Sequence, residues 1–298
     1  MTTMTETVRR FACFGGRCAV AVAGEGAEHA AAEAEAELLA WHRRFTRFAH
    51  DSELAQLNAD PRGTVPVTPL MACFVQAAKD AAHASGGLVD ATMIGALEDA
   101  GYRRDLRGSV PLKLALGLAP ARRPATGASR SRWSHVHVDA FANTVTRPPG
   151  LRFDSGGIAK GLSADTVAAR LAGFAAFAVD CAGDLRVGGT ARRIEVASPF
   201  DGGVLHDYEL ADGAIATSGI GRRSWLDDHA RPAHHLLDPS TGRPAYTGVV
   251  QATALAPTAL EAELRAKCAV LSGPDGAPDW LSDGGLVVFD DGSHRIVR

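Results

Sequence analysis

Apolar positions recur along this chain with two periods, and a change of period marks the start or end of an element. Residues 11–23 alternate small and apolar around CAVAVA, the pattern of a strand. From Ala27 to Phe48 the period lengthens to that of a helix. Leu38, Trp41, Phe45 and Phe48 fall at helical spacing, with Glu28, Glu33, Glu35 and Glu37 early and Arg43, Arg44 and Arg47 late, the order that a helix dipole favours. Thr68 and Pro69 read as the N-cap and first turn of a second helix, with Leu70, Phe74, Ala77 and Ala81 on one face and an end near Ser85. DSELAQLN at 51–58 reads as a capped turn in which Asp51 and Ser52 hold local backbone. WSHVHVDAF at 133–141 alternates again and predicts a strand. Between them, Arg, Pro, Gly and Ser replace periodicity over about 103–132, which predicts a mobile basic loop.

The densest patterning lies at 151–171, LRFDSGGIAKGLSADTVAARL. A short apolar strand leads to Asp154, then Gly156, Gly157 and Gly161 bracket Lys160, and Ser163 opens a helix. Glycines at such a bend allow positive φ and close approach of backbone to a ligand. A helix N-terminus offers N–H groups to an anion, and a lysine adds a point charge for phosphate. The stretch reads as a phosphate cradle, although its spacing is neither that of a Walker loop nor that of a dinucleotide fingerprint. A plain strand-to-helix turn with a surface lysine has the same composition.

Further along, FAVDCAGDLRVGG predicts two short strands around an Ala182-Gly183-Asp184 turn. In HLLDPSTG, Asp238-Pro239 starts a turn and Gly242 closes it, which presents His235 from a strand end. A neutral imidazole there can take a proton from a hydroxyl. Thr258 and Glu261 form a capping box, and the helix they open puts Glu263 and Lys267 on one face at i, i+4.

Composition narrows the class. With 298 residues and 46% apolar content the chain can bury a large core, and no repeat or linker divides it, so residues 1–298 are expected to form a single domain. The strand, turn and helix lengths suit an α+β protein with mixed sheets flanked by helices. A net charge of −3 without aromatic–basic interleaving argues against nucleic acid. The five cysteines are odd in number and irregularly spaced, which reads as reduced thiols. The opening MTTMTETVRRFACFGG has no apolar run of secretory type, and no membrane span is apparent, so a cytoplasmic protein is expected.

The stretches quoted, with GGLVDAT at 86–92, AIATSGIGRR at 214–223 and ELRAKCAVLSG at 263–273, occur in an order that resembles the ApbE family from about Phe14 to Gly273. That resemblance implies a T-fold-like α+β architecture and FAD:protein FMN transfer, the movement of FMN from FAD to a Thr or Ser hydroxyl of an acceptor flavoprotein with release of AMP. It implies flavin contacts at Phe48, where relatives often place an aromatic against adenine, at Leu88, Val89 and Asp90, and at Leu237. Asp154 and Lys160 would position FAD, and His235 would lie near the acceptor hydroxyl. Relatives hold Mg²⁺ through a backbone carbonyl, an aspartate and a threonine, positions that fall on Gly157, Glu263 and Lys267. A lysine cannot ligate while protonated. It either turns away, forms a plain surface pair with Glu263, or places its ammonium where the ion would meet the FAD pyrophosphate. Two other functions share the resemblance: a non-transferring FAD-binding carrier or sensor, and an FAD pyrophosphatase giving FMN and AMP. The family usually has glycine where Ala182 stands.

Overall fold

A computed structural model describes residues 6–106, 108–128 and 132–298. Its centre is an eight-stranded sheet in the order Glu6–Cys13, Gly16–Ala23, Ala176–Cys181, Asp184–Gly188, Gly213–Gly219, Val249–Ala256, Gly285–Phe289 and His294–Val297. Every neighbouring pair in it is antiparallel. The helices are α1 (Ala27–Phe45), α2 (Glu53–Ala59), α3 (Pro69–Ala84), α4 (Ile94–Asp99), α5 (Leu112–Gly117), α6 (Ala159–Leu171) and α7 (Ala259–Gly276). The fold is α+β, as the patterning predicts.

Helices α1, α6 and α7 pack side by side against the sheet. Small side chains make the contact close: Ala214, Ala216, Ala252 and Ala254 on the strands and Ala262, Ala266 and Ala269 on α7 are all fully buried. Gly161 serves the same purpose between α6 and α7, since a Cβ there would lie 2.5 Å from the Ala259 carbonyl oxygen. Asp165 of α6 accepts the free N–H groups of Ala259 (2.8 Å) and Leu260 (2.9 Å), and Thr258 Oγ1 accepts that of Glu261 (3.2 Å), so α7 is capped by its own chain and by its neighbour.

Several expectations are corrected. Residues 11–23 belong to two strands, because the alternation runs on through a turn in which Phe14 and Gly15 have φ of 52° and 70°. The 51–58 stretch becomes α2, with Ser52 Oγ accepting from Ala55 N–H at 3.0 Å. Helix α6 begins at Ala159, so Lys160 lies in its first turn, and Ser163 is an interior residue whose hydroxyl donates to the Lys160 carbonyl at 2.9 Å. None of Gly156, Gly157 and Gly161 adopts positive φ. Only His137–Asp139 of the 133–141 stretch is strand, because Asp139 Oδ1 accepts the N–H groups of Phe141 and Ala142 and turns the chain.

The stretch expected as a mobile loop carries α5 and is fastened beyond it. Arg123 N–H donates to Tyr246 O (2.8 Å), Ala125 N–H to Leu271 O (2.8 Å) and Thr126 N–H to Asp238 Oδ1 (3.1 Å). Residues 107 and 129–131 of that stretch lie outside the described residues.

Candidate functional site

Beside the sheet, a cavity of about 560 Å³ opens among segments far apart in the chain. Phe48, Leu88, Val89, Asp90, Asp154, Gly157, Lys160, His235, Leu237 and Lys267 all line it. Glu263 lies directly behind, with Oε1 2.7 Å from Lys267 Nζ. Residues read from motifs spread over more than two hundred positions thus meet at one site.

The organising stretch is held rigidly at its entry. Asn58 of α2 donates to Phe153 O (2.8 Å) and accepts from Phe153 N–H (2.7 Å), Asp154 N–H donates to Ala91 O (2.7 Å), and Ser155 Oγ donates to Phe45 O (2.8 Å). Asp154 then uses both carboxylate oxygens on protein, one toward Arg47 Nε (3.1 Å) and one on Gly156 N–H (3.0 Å). Asp90 Oδ1 accepts the N–H and hydroxyl of Thr92, both at 2.7 Å, and burial pushes its carboxyl above the usual range. Each carboxylate shapes the wall it stands in.

One end of the cavity is aromatic. Phe48 lies beyond the end of α1 and is exposed, edge-on to Tyr102 with ring centroids 5.7 Å apart. The Arg47 guanidinium covers both rings, 4.4 Å from the Phe48 centroid and 4.7 Å from that of Tyr102. Arg47 is therefore a buried wall residue rather than a charge at the helix terminus.

The other end is ionic. Lys160 pairs with Asp184 at 2.5 Å and with Glu263 at 3.7 Å, while Glu263 Oε2 accepts Gly161 N–H at 2.8 Å. Glu263 is 0% and Lys267 5% exposed, so theirs is a buried pair and not a surface one. Burial alone would raise the Glu263 carboxyl and lower the Lys160 amine. The Lys267 and Lys160 charges outweigh it at Glu263, which is held low, and the Asp184 and Glu263 charges outweigh it at Lys160, which is held high. Asp184 is pushed up to about 7 by burial, opposed by Lys160 and aided by Glu263. Arg223 adds a third cation: its guanidinium donates to Phe14 O at 2.8 Å and forms no ion pair among the described residues. Three cations against two carboxylates leave this end with a net positive charge, suited to an anion.

His235 stands here too. Burial, with Arg223, His234 and Lys267 nearby, holds its imidazole well below the usual range, so it is neutral at pH 7. In the tautomer whose Nδ1–H donates to Arg223 O (3.4 Å), Nε2 keeps its lone pair. The turn that presents it is built as the sequence predicts: Gly242 N–H donates to Asp238 O (2.8 Å) with φ of 69° at Gly242, and Asp238 Oδ1 accepts from Ser240 N–H and Oγ.

Gly157, Glu263 and Lys267 do not fit a divalent ion. Both Glu263 oxygens are engaged, one by the ammonium of Lys267. At about 4 Å and an effective dielectric of about 20, a divalent ion beside that ammonium would be repelled by about 8 kcal/mol. No group of three or more His, Cys, Asp or Glu side chains is arranged to hold a metal among the described residues.

Arg47, Tyr102, Asp184 and Arg223 also belong to the site and were missed. Arg223 ends the quoted AIATSGIGRR motif, and Asp184 the Ala182-Gly183-Asp184 turn, so the motifs were the available signal. Tyr102 lies where the sequence has no period.

Aromatic rings, apolar side chains and several cations thus line one cavity, the make-up of a small-molecule site. Residues 14–289 match the ApbE family, and the chain belongs to it. It is 32% identical over 170 residues to an FAD:protein FMN transferase of Vibrio cholerae serotype O1, covering 51% of each chain. To one of Rhodobacter capsulatus it is 28% identical over 289 residues, covering 89% of this chain and 52% of that one. The chain spans about half the length of these two relatives. The crystal structure of the ApbE protein of Thermotoga maritima shares the fold, with a TM-score of 0.80 at 24% identity over 99% of this chain and 97% of that one.

Proposed function

We propose that this chain is an FAD:protein FMN transferase, moving FMN from FAD to a Thr or Ser hydroxyl of an acceptor protein and releasing AMP. The observation that carries the proposal is the meeting, in one cavity, of an aromatic wall, a cluster of cations and a neutral histidine. Phe48 offers a ring to adenine, and Leu88, Val89 and Leu237 offer apolar contact to the flavin. Lys160, Lys267 and Arg223 face the pyrophosphate, while Asp154 acts by fixing Arg47 and the Gly156 backbone. Residues 1–298 are taken as one domain, a reading supported by walls drawn from Ala12 to Leu271.

In the reaction, the acceptor hydroxyl oxygen attacks the FMN phosphorus and the P–O bond to AMP breaks. His235 Nε2 takes the hydroxyl proton. Burial, with the cations beside it, holds the free imidazole neutral, and the bound pyrophosphate offsets the cations' charge as the proton arrives. The five free cysteines, four of them buried, suit a reducing compartment and support a cytoplasmic location. Among the described residues no helix is long and apolar enough to cross a membrane.

The test is incubation with FAD and a domain or peptide carrying an acceptor threonine, read by mass spectrometry. An adduct with the mass of FMN is expected, and His235→Ala should lose it while retaining FAD binding. Free FMN and AMP without an adduct would make the chain a pyrophosphatase. Unchanged FAD would make it a binding protein.

A further inference from the structure

Lys267 reaches the cavity from α7 with its ammonium braced on Glu263 Oε1 at 2.7 Å. Glu263 cannot swing away freely, because its second oxygen holds Gly161 N–H at 2.8 Å and Lys160 stands 3.7 Å from the first. Lys160 is braced in turn on Asp184. Each lysine has a carboxylate behind it and the cavity in front, and Arg223 supplies a third positive charge with no acidic partner among the described residues. The cluster is complete without an added ion. Buried charges must be compensated, and here the protein's own carboxylates compensate two of the cations while leaving an excess directed at the ligand.

We infer that the Lys267 ammonium is the resident cation of this site: it takes a pyrophosphate oxygen of FAD directly, so that FAD binding by this chain needs no divalent metal. This rests on the reading of the ligand as FAD, and it assigns to one side chain the neutralisation that would otherwise fall to a metal.

The test is a titration of the full-length protein with FAD, followed by flavin fluorescence, in EDTA and in millimolar Mg²⁺. The dissociation constant should agree between the two buffers within about twofold. Binding tightened tenfold or more by Mg²⁺ would overturn the inference while leaving the FAD reading intact. No saturable FAD binding in either buffer would overturn both. Mn²⁺ added to the protein with FAD should show only the EPR spectrum of free or FAD-bound ion, and a protein-bound signal displaced by Mg²⁺ would count against the inference.

Lys267→Met should weaken FAD by about 10- to 100-fold, the scale of one hydrogen bond to a charged group, and leave riboflavin binding unchanged. Equal weakening of both ligands would remove the phosphate contact. Lys267→Thr combined with Glu263→Asp exchanges the ammonium for a hydroxyl and shortens the carboxylate, which puts an oxygen donor at each of the two positions. Its FAD affinity should become Mg²⁺-dependent, which a folded but metal-insensitive double variant would contradict.

Discussion

His234 sits beside His235 in the chain yet lies outside the cavity wall, buried edge-on against Tyr246 with ring centroids 4.8 Å apart. Burial lowers its pKa to about 3. The unfolded chain, with an ordinary value near 6.5, therefore binds the proton more tightly, and stability falls as pH drops from about 6.5 towards 3. Between pH 7 and 5 this one group costs about 2 kcal/mol. Denaturant titrations of His234→Phe, which keeps the ring contact, should lose about that much less over the same interval. The remaining acid sensitivity includes His235, whose shift has the same sign. At the site itself, the kcat/KM of transfer should lack the limb of an ordinary histidine. Asp184, pushed up to about 7 behind Lys160, is the one group expected to bend the profile there, and a limb near pH 6.5 that persists in Asp184→Asn would show that the base is another group. Legibility at this scale followed contiguity. Asp154, Lys160 and His235 stand inside motifs whose order could be read, whereas Arg47 and Tyr102 enter the site because the chain leaves α1 and α4 in particular directions, which no local pattern records.

Among the elements, α2 decides how the organising stretch enters the site, and a single buried arginine anchors it. The Arg147 guanidinium donates to Leu151 O (2.6 Å), Asp60 O (2.9 Å) and Leu57 O, tying the end of α2 to the approach to Phe153. Asn58, on the same helix, then sets the backbone of Phe153 next to Asp154. Arg147→Met should cost about 3 kcal/mol in chemical denaturation, since three carbonyls lose a charged donor, and it should weaken FAD binding although Arg147 does not line the cavity. Destabilisation with unchanged affinity would separate the helix from the site. The caps of α3 and α7 were readable because Thr68 and Thr258 bond within four residues of themselves. The start of α6 was not, because Gly161 answers to the surface of α7 and not to a turn of its own.

At the scale of the molecule, the cavity is shared property. Its walls come from the turn of the first hairpin, the end of α1, the segment before α4, the start of α6, the His235 turn and α7. A ligand there joins parts separated by most of the chain, so FAD at about 100 times its dissociation constant should add about 2.7 kcal/mol to global stability. Hydrogen exchange should slow together at residues 12–16 and in the turn of α7 between Lys267 and Leu271, since 12–16, Lys267 and Leu271 line the cavity. Slowing at only one of them would place the ligand elsewhere.

The first hairpin carries its Phe14-Gly15 turn to the cavity and its open end away from it. Eight residues of strand, Glu6–Cys13, at about 3.3 Å each put Glu6 about 25 Å from that turn. A dye attached at position 6 would therefore stand about 25 Å from the hairpin turn that lines the cavity, close enough to exchange excitation energy with a fluorescent ligand held there.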